Sequence, residues 1–296
     1  MTRSALTALI RRKKSFLCIG LDPDMNRIPE CVRNNSDDPL FDFNRRIIDA
    51  TIDQAVAFKP NVAFYEMHGS KGWESLEKTM AYIAAHKAGP VFTIADAKRA
   101  DIGNSSAAYA RTFFESMPFD AVTVSPYMGH DSVKPFLSYS GKWAAILALT
   151  SNPGAADFQV LSVGANQAAS ADGTVSAALS TVEQQLYEVV MTRCMDWGSP
   201  DNTMFVVGAT RAGMLGSIRQ LVPDHFFLIP GVGAQGGDLS AIASVAMNND
   251  VGILVNSSRG ILYASSGEDF DKKAGEVAAK LQQEMEGLLR GFSWAE

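Results

Sequence analysis

The chain has 296 residues, 47% of them apolar and 20% charged, and a net charge of −6. That is a globular composition with ample apolar material for a core, at a length typical of one α/β barrel. The acidic balance argues against wholesale binding to nucleic acid or to an acidic membrane surface, and no apolar run approaches the ~20 residues that cross a bilayer.

The first segment, MTRSALTALIRRKKS, is basic and free of acids, faintly like a transit peptide. A strand beginning at Ser15 or Phe16 leaves no room for a removable leader. The segment therefore reads as a short helix with Ser4 as N-cap and Leu6, Leu9 and Ile10 on one face. The first strand is FLCIGLD (16–22). Residues 23–38, rich in Pro, Asn and Asp, predict a long loop, and Phe43, Ile47 and Ala50 then carry a helical period. A second strand, AVAFKPN (55–61), precedes the helical pattern Leu76, Met80, Ile83. A third, VFTIADAK (91–98), precedes Tyr109, Phe113 and Phe114.

DAVTVSP (120–126) and WAAILALT (143–150) supply the fourth and fifth strands. The longest interval follows, 151–203. Its small-residue stretch from Gly154 to Ser180 predicts a long loop, with a helix around Val182 to Cys194. MFVVGAT (204–210) leads to the pattern Leu215, Ile218, Leu221. FFLIPGVG (226–233) and VGILVNSS (251–258) complete the series, and Phe270, Ala274, Val277, Leu281, Met285 and Leu288 mark a closing helix.

Strands alternating with helices imply a parallel sheet. Eight units imply an α/β fold of the closed (β/α)₈ TIM-barrel kind, since an open doubly wound sheet suits five to seven strands better. The expected organisation is one barrel domain over 1–296, with insertions at about 23–38 and 155–203.

Period two in a barrel places alternate residues toward the lumen. Ile94, Asp96 and Lys98 share one face, and the alanines Ala95 and Ala97 suit the helix-covered face. Asp22 ends the first strand and Lys59 the second. Three neighbouring strands thus deliver Asp22, Lys59, Asp96 and Lys98 to the C-terminal mouth, where barrel active sites lie. Asp101 follows in the loop. A structural ion-pair network would read the same way, but interior charge this dense is costly to desolvate and usually persists for function.

The seventh strand runs into Pro230-Gly231-Val232-Gly233-Ala234-Gln235-Gly236-Gly237 and the eighth into Asn256-Ser257-Ser258-Arg259-Gly260. Glycine-rich turns at these two strand ends, each leading into a helix, form the common phosphate site of barrels. Arg259 can add a bidentate contact. Gly231, Gly233 and Gly236 also match G-x-G-x-x-G, but a dinucleotide site expects that motif after the first strand. The fifth strand ends in Thr150-Ser151-Asn152-Pro153-Gly154, a turn that brings hydroxyl and amide groups to the same rim. Three cysteines, Cys18, Cys31 and Cys194, give no disulfide or zinc spacing and point to a reducing, cytoplasmic compartment. The four histidines form no metal-binding pattern.

Asp96-Ala97-Lys98-Arg99-Ala100-Asp101-Ile102-Gly103-Asn104 resembles the D-x-K-x-x-D-I-G-N signature of the orotidine 5′-phosphate decarboxylase family, in particular its longer bacterial subgroup. Leu21-Asp22-Pro23-Asp24, Phe58-Lys59-Pro60-Asn61, the Thr150–Gly154 turn and both glycine-rich segments extend the likeness along nearly the whole chain. The resemblance implies a lyase of UMP biosynthesis, the last step of de novo pyrimidine synthesis, with no metal or organic cofactor and a homodimeric assembly. Lys98 would protonate C6 of the pyrimidine. Asp96 and Asp101 would flank it, Asp101 reaching into the neighbouring subunit's site. Lys59 would complete the tetrad and touch the ribose, and Asp22 would bind a ribose hydroxyl. Ser151 would contact the base, and Gln235 and Arg259 would hold the phosphate, with Gly233 and Ser258 in the turns that cradle it. Asn152 stands where the shorter subgroup often has His, and the 155–203 insertion departs from that subgroup too. The rival readings are a metal-dependent sugar-phosphate decarboxylase of the same superfamily, such as a keto-gulonate-phosphate decarboxylase, and a non-catalytic barrel that binds a phosphate ligand.

Overall fold

The structure, a computed structural model, describes residues 1–164, 168–169, 175–176, 184–208, 212–231 and 238–292. Eight parallel strands close into a barrel: β1 (Leu17–Leu21), β2 (Ala57–Pro60), β3 (Phe92–Arg99), β4 (Ala121–Val124), β5 (Trp143–Leu149), β6 (Thr203–Val207), β7 (Phe226–Pro230) and β8 (Ile253–Ser257). Each overlaps the apolar run that predicts it. Strand β1 closes the ring by pairing with both β2 and β8. A helix follows every strand, from Pro39–Thr51 after β1 to Phe270–Arg290 after β8.

Two features explain why these segments hold. The helix Pro39–Thr51 starts where Asp38 accepts from the Phe41 N–H (3.2 Å) and Pro39 fills the first turn. Its buried Phe43 stacks on Phe270 at 5.2 Å, tying the first outer helix to the last. Inside the barrel, Phe92, Trp143 and Phe226 from β3, β5 and β7 meet edge to face at 6.0 and 5.9 Å. They form a layer from alternate strands near the strand starts. Below it, the Trp143 indole donates to the Met1 carbonyl (2.8 Å) and the Met1 ammonium pairs with Asp120 (2.5 Å). The N-terminal end of the barrel is therefore plugged, which leaves polar chemistry to the opposite end.

Local expectations shift in three places. The first helix is Arg3–Lys13, and Thr2, not Ser4, caps it by accepting from the Ala5 N–H. The loop at 23–38 contains a helical turn, Glu30–Arg33, with Val32 buried beneath it. The helix expected around Val182 to Cys194 runs Leu186–Trp197, because Gln185 and Glu188 form a capping box there. Just before it, Gln184–Gln185 pairs antiparallel with Ser162–Val163, zipping the base of the long insertion. Much of Gly154–Ser180 lies outside the described residues.

Candidate active site

The C-terminal mouth gathers charge from three adjacent strands. Asp96, on β3, accepts from Lys59 Nζ at 2.6 Å through Oδ2 and from Lys98 Nζ at 2.5 Å through Oδ1. The Thr123 hydroxyl on β4 donates to the same Oδ1 at 3.1 Å. Lys59 is 5% exposed. Burial alone would lower its pKa, but Asp96 and then Asp22 outweigh that and hold the ammonium above its ordinary range. Asp96 is the mirror case. Burial would raise its pKa, yet the attraction of Lys59 and Lys98 carries it far below the usual carboxylate value. Lys59 and Asp96 therefore stay charged across the neutral range.

Alternation predicts Lys98 simply continuing the lumenal face after Asp96. The structure differs. Strand β3 loses register with β4 between Ala95 and Arg99, and Lys98 adopts φ +47°. A non-glycine residue pays for that left-handed backbone, and such outliers concentrate at functional positions. The twist turns the side chain back so that its ammonium meets Asp96 while about half of it stays exposed to the mouth. A stability test follows from the backbone alone. The variant Lys98→Gly should outlast Lys98→Ala in urea unfolding by about 1 kcal/mol, because only glycine accepts positive φ freely. Equal midpoints would mean the turn carries no strain.

Strand β1 ends in Gly20 and Leu21, and Asp22 follows directly. A Cβ on Gly20 would lie 1.8 Å from Ser258 Oγ, so only glycine lets β1 and the turn after β8 meet this closely. Gly208 does the same for Ser151, whose backbone N would be 2.8 Å from an added Cβ. The Asp22 Oδ1 atom is buried and has no hydrogen-bond partner among the described residues. Such an atom costs free energy unless a ligand satisfies it. Asp22 lines a cavity of about 260 Å³ together with Lys59, Asp96, Ser151, Ser258 and Arg259.

Asp101 does not flank Lys98: its carboxylate accepts from the Ile102 N–H (2.8 Å), and it forms no ion pair among the described residues. The helix after β7 is Leu239–Ala246. Asp238 caps it by accepting from Ser240 (2.9 Å) and Ala241 (3.1 Å). Gly233 and Gln235 lie outside the described residues. Asn61 and Asn256, quoted in the sequence only as parts of strand-end motifs, also line the cavity, and Thr123 escaped sequence reasoning altogether. Thr123 carried a signal, a hydroxyl at an inward position of an otherwise apolar strand. Cys18 also borders the site, its thiol 3.5 Å from Asn256 Oδ1. Burial pushes that thiol up to about 12, so it stays protonated and fills space.

The family model described as orotidine 5′-phosphate decarboxylase / HUMPS matches residues 15–269. The chain is 50% identical over 289 residues to the orotidine 5′-phosphate decarboxylase of Flavobacterium johnsoniae, covering 98% of each chain. It is 51% identical over 290 residues to that of Porphyromonas gingivalis, again with 98% of each covered. Among solved structures, the OMP decarboxylase of Leishmania donovani superposes with a TM-score of 0.75 at 31% identity, over 97% of this chain and 99% of that one. A closed eight-stranded barrel, a carboxylate clasped by two ammonium groups at its mouth and likeness along almost the whole length agree: the chain belongs to the orotidine 5′-phosphate decarboxylase / HUMPS family.

Proposed function

We propose that this protein decarboxylates orotidine 5′-monophosphate to UMP and CO₂. The observation that carries the reading is Asp96 held between Lys59 and Lys98 beside an unsatisfied Asp22 oxygen. In the reaction the bond from C6 to the carboxylate breaks and its electron pair stays on C6, in the ring plane, where conjugation cannot spread it. Lys98 sits where its ammonium can face that carbanion and then donate a proton to C6, leaving as a neutral amine. Asp96 keeps Lys98 aimed, a preorganised arrangement that costs no reorganisation during the reaction. Lys59 and Asp22 take the ribose hydroxyls, Ser151 the base, and Arg259 the phosphate with Gln235, Gly233 and Ser258. Binding energy from the remote phosphate then helps hold the base against the charges.

The reading includes a single barrel domain over 1–296 with insertions at about 23–38 and 155–203, acting in the cytoplasm. No described helix is long and apolar enough to cross a membrane. It also includes a homodimer in which Asp101 of each subunit serves the other's site. The segments after β2, β3 and β4 leave the apolar side chains Met67, Ile102, Tyr127 and Met128 exposed, and a second copy would cover them.

The deciding experiment is mixing the protein with orotidine 5′-monophosphate and following ultraviolet absorbance. Loss of the substrate band supports decarboxylation, and an unchanged spectrum in the presence of bound nucleotide would establish a non-catalytic binding barrel. For the metal-dependent alternative, EDTA is the discriminator, and turnover is expected to survive it. Both oxygens of Asp96 already accept from ammonium groups, a poor setting for a divalent cation. For the phosphate, Arg259→Ala should raise KM about ten- to a hundredfold with kcat little changed, the size of one lost charge-assisted contact. An unchanged KM would remove Arg259 from the phosphate site.

A further inference from the structure

We propose that the Thr123 hydroxyl is the positioning group for Lys98, fixing its backbone and its carboxylate partner at once. The inference rests on the decarboxylase reading for its kinetic arm. Thr123 is 1% exposed on β4, with its side chain among the mouth groups. Its oxygen accepts from the Lys98 backbone N–H at 2.8 Å, and its hydroxyl proton goes to Asp96 Oδ1 at 3.1 Å. That carboxylate oxygen is the one Lys98 Nζ holds at 2.5 Å. The hydroxyl, the carboxylate and the lysine therefore close a ring: backbone N–H to hydroxyl, hydroxyl to carboxylate, carboxylate to ammonium of the same lysine.

Ring closure explains how the left-handed conformation at Lys98 persists. Register between β3 and β4 is interrupted between Ala95 and Arg99, so the regular ladder does not hold the Lys98 N–H. Thr123 supplies the missing acceptor from the neighbouring strand. A residue at φ +47° needs surroundings that over-determine it. Without the hydroxyl the N–H loses its partner, the turn can relax toward regular strand, and the ammonium swings off the line to C6. A small angular error at this distance is costly, since catalysis here depends on placement of one charge.

The test is Thr123→Val, which keeps the shape and strand preference and removes the hydroxyl, beside Thr123→Ser, which restores it. In Thr123→Val, kcat is expected to fall about ten- to a hundredfold with KM within about threefold, the loss of one hydrogen bond to a charged group. Exchange of the Lys98 amide proton should quicken about tenfold or more. Thr123→Ser should return both values to within about threefold of the parent. Two results would overturn the assignment: a Thr123→Val protein with parental kcat and parental Lys98 exchange, or a Thr123→Ser protein as impaired as Thr123→Val, which would make the methyl packing responsible. Should the parent protein leave orotidine 5′-monophosphate untouched, the decarboxylase reading falls, and the amide exchange comparison still decides the role of the hydroxyl.

Discussion

Lys98→Ala is expected to lower kcat at least about a thousandfold while the affinity for UMP stays within a few-fold. One ammonium about 4 Å from a carbanion is worth about 4 kcal/mol at an effective dielectric near 20. At 1.36 kcal/mol per decade that is roughly a factor of a thousand, before the lost proton donor is counted. The fold should survive the change. Asp96 keeps Lys59 at 2.6 Å, so no buried carboxylate is stranded. Product binding should survive as well, because Asp22, Ser151, Ser258 and Arg259 line the cavity independently of Lys98. Lys98→Arg separates the two contributions of the amine: it keeps a positive charge but holds its proton too tightly to give it up. Single-turnover absorbance measurements and UMP titration read both quantities. Near-parental turnover in Lys98→Ala would eliminate this lysine as the proton donor.

The barrel was legible in the sequence because its strands are short β-branched runs separated by helical periods, and each run lands on an observed strand. Asp22, Lys59 and Asp96 were legible for a related reason: charge at the end of an apolar strand has few places to go other than the mouth. Lys98 was legible as a residue but not as a conformation. Period two assumes regular strand, and nothing in the letter Lys announces φ +47° as a glycine would. The conformation comes from tertiary pull, from Asp96 on the side chain and Thr123 on the backbone. At the phosphate end, Gly233 and Gln235 lie outside the described residues. The glycine-rich turn leads into a helix capped by Asp238, itself a strong N-cap residue. Asp101 shows the limit of single-chain reasoning, since its proposed target lies on another copy of the chain.

Asp96→Asn is expected to damage both turnover and the fold, and pH separates the two effects. The buried Lys59 ammonium would lose its nearest anion and keep only Asp22 nearby. Breaking a buried pair from one side costs roughly 3 kcal/mol, which corresponds to a fall in Tm of about 5 °C for a protein of this size. In the parent, Asp96 titrates far below an ordinary carboxylate, so its stabilisation is fully present above pH ~4 and fades as pH falls through the folded value. Lys59 titrates above its ordinary range, so its contribution is complete below pH ~10 and fades only as pH rises beyond that. Thermal melts of the two proteins should therefore differ clearly at neutral pH, begin to approach each other only below pH ~4, and converge as pH falls through the folded value of Asp96, far below the usual carboxylate range. Turnover at pH 7 should fall about a hundredfold or more, because Lys98 loses the anion that aims it. A variant that melts with the parent at pH 7 would show that the Lys59–Asp96 pair carries no net stability. A variant that turns over normally would show that Lys98 needs no carboxylate to place it, and the preorganisation argument would fail with it.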